Sequence, residues 1–500
     1  MIFIQSLTGE MIMRSEFPEN KSSAKRKKKL KFITVYSTFS DTEKAEFTKF
    51  VKNGVNNKRN NYDKILNSLK INDNGDIEIK GSTSDVTRWN RFSELHKLAD
   101  EFLILKSIEG NDLLNKFLLF KEYGKRNLFA SFEQKYESIK NETSNSPLVN
   151  FDANTINQIE RIYFNHLRAI SDSKNLITKI FEAGISRNGF FIIELLENLI
   201  EISAIKGSKI LNTISMDEKI YDNLNIEKIL LHFKETSNSP HKIYYTIRFL
   251  HLVYSCNKDI SSNEYYTEAK RILYKELKSI SDDKREIYFI SLINFKIAQL
   301  NNFIPGAVEE LFSLMNKKLE EGLVDDFRNK NLPVNQFRDF ILVGLNLKKY
   351  KWVSNFIDNY SIYLPEEIRH DYVCLAKARL SFSMKNYGSS YDSLKKVNKK
   401  NHMLFTDVTL LKLKVLFELN KSDESYDELK NFREYLRKDR DYDLMLFKNS
   451  REFCRAYSLL LKLKQNPTVK NLNDLQYMLS KKTMNGKNWV TKKMNGIKIN

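Results

Sequence analysis

Turn-forming residues are scarce in this chain: its 500 residues include 15 Gly and 7 Pro, against average usage of roughly 7% and 5%. Sheet-rich folds depend on many tight turns, and tight turns draw on those two residues. The scarcity points to long helices joined by short polar loops. Apolar spacing agrees. Val86, Trp89, Phe92, Leu95, Leu98, Phe102 and Leu105 recur at steps of three and four, the period of one helix face. A chain this long exceeds a single hydrophobic core, so it must divide into domains or extend as a solenoid. With 41% hydrophobic and 29% charged residues, it has the composition of a folded chain.

Residues 1–31 read as a basic tail ending in the run Lys25, Arg26, Lys27, Lys28 and Lys29. A first helix is expected after Ser40, because Ser40 and Glu43 have the spacing of a capping box. Tyr62, Ile65, Leu66 and Leu69 mark a second, short helix. The stretch 72–84 is the clearest break, and its alternating Ile77-Glu78-Ile79 suits one short strand. Strong helical patterns follow from 85 to 141, so 32–141 forms an N-terminal helical module. Beyond the polar stretch 141–152, residues 153–464 hold roughly a dozen helices of about 10–20 residues. Their breaks are expected at Gly207, Pro240, Asp282-Asp283, Asn302, Pro333, Pro365 and Gly388. The hexapeptide ETSNSP occurs at 142–147 and again at 235–240, each time where proline should stop a helix. Duplication and chance both account for it. Residues 465–500 are a basic C-terminal segment.

A repeat is visible between 337 and 438. Phe340 to Tyr350 reads as a first helix and Trp352 to Leu364 as its partner. Tyr372 to Tyr387 pairs with Ser389 to Val397, and Leu404 to Leu419 with Asp423 to Leu436. The segments LKKYKWVSNFI, MKNYGSSYDSL and LNKSDESYDEL align, placing Ser354, Tyr391 and Tyr426 at equivalent positions 37 and 35 residues apart. A tetratricopeptide unit repeats at about 34. One such hairpin cannot bury its own apolar stripe, so neighbours must cover it. The expected fold is an all-α solenoid of stacked antiparallel helix pairs, tetratricopeptide-like, preceded by the small helical module.

The stretch 39–140 carries FSDTEKAEFTKFVKNG, RWNRFSELHKLADEFLILKSIEGN and LLNKFLLFKEYGKRNLFASFEQKYESI. These segments resemble the opening of a family of uncharacterised, cytosolic helical-repeat proteins of Bacteroidota. In that family a Ser-x-x-Glu, Phe-x-x-Phe helix precedes a Leu/aromatic helix and an Arg/Lys-Gly-Leu-like turn, here Lys125-Arg126-Asn127-Leu128. Degenerate helix pairs and an aromatic, basic final helix follow, to which Trp489 and its lysines are similar. The chain departs from the family between 53 and 90, where the Ser-Pro-Tyr/Phe-Phe-Asn segment is replaced by Asn53-Gly54-Val55-Asn56-Asn57-Lys58. The resemblance implies a helical-repeat fold and no particular activity.

Motifs of catalysis and ligation are missing. There is no GxxxxGK[ST] or GxGxxG to cradle phosphate, and no GxSxG elbow. The seven histidines (96, 166, 232, 241, 251, 370 and 402) form neither HxxxH nor HExxH, so no pair shares a helix face to grip an ion. Cys256, Cys374 and Cys454 are far apart, without CxxC spacing, and read as reduced buried thiols of a cytoplasmic protein. The pairs Glu309-Glu310, Glu320-Glu321 and Glu366-Glu367 suit solvated faces or helix-dipole compensation. Tyr244-Tyr245, Tyr265-Tyr266 and Phe190-Phe191 suit core packing better than base stacking. No apolar run is long enough for a transmembrane helix, and MIFIQSLTGEMIMR, interrupted by Glu10 and Arg14, is not a signal peptide.

The formal charge of +19 is uneven: residues 1–31 carry eight basic and three acidic residues, and 480–500 carry six Lys and no acid. The run Lys25, Arg26, Lys27, Lys28 and Lys29 is the one candidate polyanion site, with a solvated tail as its plainer interpretation. The chain is expected to be a non-enzymatic scaffold or adaptor that binds a protein or peptide, without cofactor or metal. The alternative is a nucleic-acid-associated or regulatory protein, using its basic termini and a winged-helix arrangement around Ile77–Ile79.

Overall fold

A computed structural model describes residues 31–53, 62, 65–66, 69–71, 77–79, 85–145, 153–207, 214–236, 240–323, 332–398, 402–438, 444–481, 484 and 486–499. Two compact units divide the chain. Among the described residues the division falls between 184 and 185, within one helix rather than in the stretch 141–152.

The smaller unit contains α1 (Lys31–Tyr36), α2 (Asp41–Asn53), strands β1 (Leu69–Ile71) and β2 (Ile77–Ile79), α3 (Asp85–Glu109), α4 (Asp112–Lys125), α5 (Phe129–Asn145), α6 (Ala153–Ala169) and the start of α7 (Ser173–Gly207). Helix α1 lies where the basic tail was expected to end. Its Phe32, Ile33 and Tyr36 are buried, and Phe39, Phe47 and Phe102 pack with them at ring separations of 5.3–6.2 Å. That aromatic burial holds a helix too short to stand alone. The capping box forms: Ser40 N–H donates to Glu43 Oε2 at 2.7 Å, and Glu43 N–H donates to Ser40 Oγ at 3.2 Å. Ile77–Ile79 forms its strand, pairing antiparallel with β1 so that Leu69 faces Ile79. Leu69 is therefore in a strand rather than at the end of a helix.

Helix α7 runs 35 residues, where shorter helices were expected. It contains no proline, and Gly184 and Gly189 within it cost only about 1 kcal/mol each. The buried stripe Ile192, Ile193, Leu195, Leu196 and Leu199 outweighs them.

The larger unit holds the rest of α7, then α8 (Met216–Asn223), α9 (Ile226–Thr236), α10 (Pro240–Lys258), α11 (Asn263–Lys275), α12 (Asp282–Asn301) and α13 (Ala307–Glu320). It continues with α14 (Val334–Asn346), α15 (Tyr350–Tyr360), α16 (Glu366–Ser383), α17 (Tyr387–Lys395), α18 (His402–Glu418), α19 (Ser422–Lys438), α20 (Leu444–Gln465), α21 (Val469–Lys481) and α22 (Lys487–Asn495). From α10 onward consecutive helices pack as antiparallel pairs, and the pairs stack. This is an all-α helical-repeat solenoid. Gly388 lies in the first turn of α17 rather than at a break, and Pro240 opens α10, a position that needs no amide hydrogen.

Six turns share one geometry. Asn127, Ser171, Phe303, Lys348, Lys385 and Asn420 each adopt a positive φ of 56–64°. In every case the next residue's N–H bonds the carbonyl five residues before it, as Lys349 does to Gly344 and Asn386 to Ser381. This is the hydrogen bond that closes a helix whose last residue is left-handed. Glycine usually fills that position, as Gly322 does with Leu323 N–H bonding the Lys318 carbonyl, and at these six turns the chain uses Lys, Asn, Ser or Phe. Lys348, Lys385 and Asn420 are 37 and 35 residues apart, the spacing of the sequence repeat.

Next-but-one packing involves first helices: α10 meets α12, α14 meets α16, α16 meets α18, and α20 meets α22. First helices therefore pack on one another as well as on their own partners. Within a pair, Gly344 of α14 lets α15 come close. A Cβ there would lie 2.6 Å from Val353 Cγ2 and 3.2 Å from the Trp352 ring.

Helix α18 joins two cores. Val408, Leu411 and Val415 belong to the larger one, and Leu410, Leu413 and Phe417 to the one toward the C-terminus. The C-terminal segment is part of the stack, with Met484, Val490 and Met494 buried in that second core. It is not a solvated tail, because its apolar residues recur at helical spacing and cover α20.

Candidate functional site

Charged side chains rarely survive burial without partners, so the buried charges of the larger unit sort themselves by partner. Lys318 donates to Glu286 Oε1 at 2.6 Å and to Gln336 Oε1 at 2.9 Å, joining α13 to α12 and α14. Lys296 donates to Gln299 Oε1 at 2.8 Å and lies 3.6 Å from the Tyr266 ring centroid. Burial pulls it down to about 8. Glu321 pairs with Arg285, and Glu310 accepts from Tyr266 and Lys270. Glu310 and Glu321 therefore bridge helices rather than sit on solvated faces. These clusters brace neighbouring helices, with Arg285 Nε the one nitrogen among their cations left without a hydrogen-bond partner among the described residues.

One cluster differs. Arg338 on α14, Arg379 on α16, and Asp407 and Lys414 on α18 meet across three successive first helices. Asp407 and Lys414 are two turns apart and share one face of α18. Arg379 Nη2 donates to Asp407 Oδ2 at 2.6 Å, and Arg338 Nε lies 3.0 Å from the same oxygen. The Arg338, Arg379 and Asp407 side chains keep 11%, 12% and 14% of their surface, and Arg338 Nε and Nη1 are themselves buried. Burial pushes Asp407 upward, but Arg338 and Arg379 outweigh it and hold the carboxyl below its ordinary value.

The cations are underused. Arg338 Nε is off hydrogen-bond geometry, and neither it nor Nη1 has a hydrogen-bond partner among the described residues. Lys414 makes no hydrogen bond or ion pair among them. Burial and the nearby Arg379 guanidinium pull its ammonium down to about 8, which Asp407 only partly offsets. Its Nζ is 5.8 Å from the Phe453 ring centroid and lies against Gly486, where a Cβ would meet it at 3.0 Å.

Helix α22 borders the cluster. Glu418, one turn beyond Lys414, accepts from Trp489 Nε1 at 3.0 Å and Lys493 Nζ at 2.5 Å. The Trp489 ring is 5.3 Å from Phe417 and 6.2 Å from Tyr457. This arrangement can bind an anion. It offers no nucleophile beside a general base, so it supplies no evident covalent chemistry.

The polyanion candidate Lys25, Arg26, Lys27, Lys28 and Lys29 lies outside the described residues. The three cysteines are free and buried, and burial pushes Cys256 and Cys454 up to about 12, away from reactivity. Among the described residues no group of three or more His, Cys, Asp or Glu could hold a metal ion, and no helix is long and apolar enough to cross a membrane. His166 meets Glu133 at 2.9 Å, and Tyr163 donates to the same carboxylate. The imidazole stacks on Phe129 and abuts Phe132, so this contact ties α6 to α5. Two aromatic doublets split between core and surface, with Phe190 and Tyr266 buried and Phe191 and Tyr265 exposed. Tyr244 and Tyr245 both pack at the core's edge.

A depression lined by Tyr426, Asp427, Leu429, Lys430, Arg433 and Arg437 draws on α19 alone among the described residues. The Arg338–Arg379–Asp407–Lys414 cluster is hidden in the sequence because its members are up to 76 residues apart and only Arg379 and Lys414 fall at equivalent positions of the repeat. The available signal was the pair of charges, Asp407 and Lys414, on one face of the otherwise apolar LLKLKVLF helix. No family model matches this chain, and neither a curated protein nor a solved structure is similar to it.

Proposed function

We propose that the chain is a non-catalytic scaffold or adaptor, cytoplasmic, that holds a protein or peptide partner on the first-helix face of its array. The observation that carries this reading is the set of confined, partner-poor charges on that face, at Arg338 and Lys414. Buried polar groups without partners cost free energy, and a ligand that supplies acceptors recovers it. The layered packing supports the same reading, because a stack of helix pairs offers one extended surface built from rigid helices. Repeat spacings of 37 and 35 support the finer description of these pairs as tetratricopeptide-like.

The test is panning of a random-peptide display library on the full chain, followed by hydrogen exchange with a recovered peptide bound. The expected result is added protection in α14, α16 and α18. Protection confined to α15, α17 and α19, or no specific peptide, overturns the reading.

A second reading is a nucleic-acid-associated protein. The β1–β2 hairpin preceding α3 favours it, since a hairpin beside helices is the wing of a winged-helix arrangement. A gel shift on duplex DNA across a salt series decides; a shift that vanishes with residues 1–31, with the hairpin intact, removes the winged-helix version.

A further inference from the structure

We infer that Arg338, Arg379 and Lys414 form a receptor for the side-chain carboxylates of an acidic, extended segment of a partner protein. This rests on the reading of the first-helix face as a binding surface and adds the chemistry of what binds there.

Three observations carry it. First, the charge is unbalanced. Three cations converge, against two buried carboxylates, Asp407 and the neighbouring Asp339, both of which favour the charged form of Arg338. Second, donors are in surplus. A guanidinium presents five N–H groups and an ammonium three. Yet Arg379 spends one hydrogen bond on Asp407, Arg338 Nη1 reaches no acceptor, and Lys414 spends none among the described residues.

Third, the site already holds a carboxylate. Asp407 lies between two guanidinium groups from different helices, hydrogen-bonded to Arg379 alone, so two cations already converge on one carboxylate position before any ligand arrives. Arginine forks match carboxylates in shape as well as charge.

Confinement selects among anions. The three side chains of the ion-paired core are only 11–14% exposed, which suits a narrow extended chain rather than a duplex, whose phosphates need a broad exposed cationic surface. Neighbouring cations do not widen the site, because Lys412 is committed to Glu428 and Lys493 to Glu418. At its far edge the first turn of α22 begins at Gly486 without a capping side chain, beside Lys414. That adds a further positive end to the same place.

The experiment uses fluorescein-labelled hexaglutamate as probe, with labelled hexalysine as control, in anisotropy titrations on the full chain. Saturable binding of hexaglutamate alone is expected. Lys414→Met should weaken it by about tenfold, as should Arg379→Gln, while Arg379→Lys retains most of it and Lys430→Gln on α19 changes nothing. The Lys414 substitution breaks no ion pair, so it tests the site even if Arg379→Gln fails to fold. Absence of saturable binding overturns the inference. So does binding undiminished by Lys414→Met, or binding that depends on Lys25–Lys29 instead. Panned peptides that protect the first helices without being acidic would leave the scaffold reading standing and remove this one.

Discussion

Replacing Gly344 by Ala tests the pair packing, because its sign depends on one neighbour. The new methyl would sit 2.6 Å from Val353 Cγ2 and 3.2 Å from the Trp352 ring, against a comfortable carbon–carbon separation of about 3.5–4.0 Å. Val353 is fully buried and β-branched, so it cannot swing aside. Relieving the overlap requires α15 to move by about 1 Å, and overpacking of that kind costs about 1–3 kcal/mol. Against it stands the helix preference of Ala over Gly, about 1 kcal/mol. The single change is therefore neutral to destabilising by about 2 kcal/mol. With Val353→Ala already in place the 2.6 Å overlap is gone and the 3.2 Å approach to the Trp352 ring remains, so the same substitution should be more favourable than in the wild-type background by about 1–2 kcal/mol. Urea unfolding of the four members of the cycle, followed by circular dichroism and Trp fluorescence, measures the coupling. Equal effects of Gly344→Ala in both backgrounds would refute the close approach of α14 and α15.

Lys318→Met should cost about 3–5 kcal/mol by removing one member of the buried ion pair with Glu286, seen as a lowered urea midpoint, and Glu286→Leu in the same chain should restore part of it. Lys385→Gly should raise the midpoint, by about 0.5–1 kcal/mol, since it relieves a left-handed residue at the cost of unfolded-state freedom. For Lys414 the ammonium titrates near 8 in the folded chain and about 10.4 in the unfolded one. The unfolded state then binds more protons between these values, and this group's contribution to stability rises with pH across that window. Cys256 and Cys454, held up to about 12, act in the opposite sense over much of the same range. The measurement is therefore the stability difference from Lys414→Met, which should shift in favour of the wild type from about pH 8 to 10.5; a difference constant with pH would contradict it.

What the sequence shows and what it hides follow from range. The capping box at Ser40 and Glu43, the strand Ile77–Ile79 and the pairs between 337 and 438 depend on neighbours a few residues away, and local spacing reveals them. Helix α1 was hidden because its worth lies in burial against Phe47 and Phe92, beyond any local pattern. The left-handed turns at Phe303, Lys348 and Lys385 carry no glycine to announce them. They become visible only as a shared backbone conformation, which also explains how a chain with 15 Gly makes so many reversals. The basic composition of the C-terminal segment hides its packing, for Trp489 and Lys493 both reach Glu418, more than 70 residues earlier. The cationic cluster needed three helices to be laid side by side.

The most direct measurement of the central claim, that the first-helix face is a carboxylate-binding surface, is the affinity of labelled hexaglutamate for the Asp407→Asn chain. Asparagine keeps the shape and one acceptor while removing the internal competitor for both guanidinium groups. The account predicts tighter binding than wild type, by about tenfold, which is opposite in sign to the loss caused by Arg379→Gln. General loosening of the fold would weaken both variants alike. Unchanged or weakened binding by Asp407→Asn would contradict it.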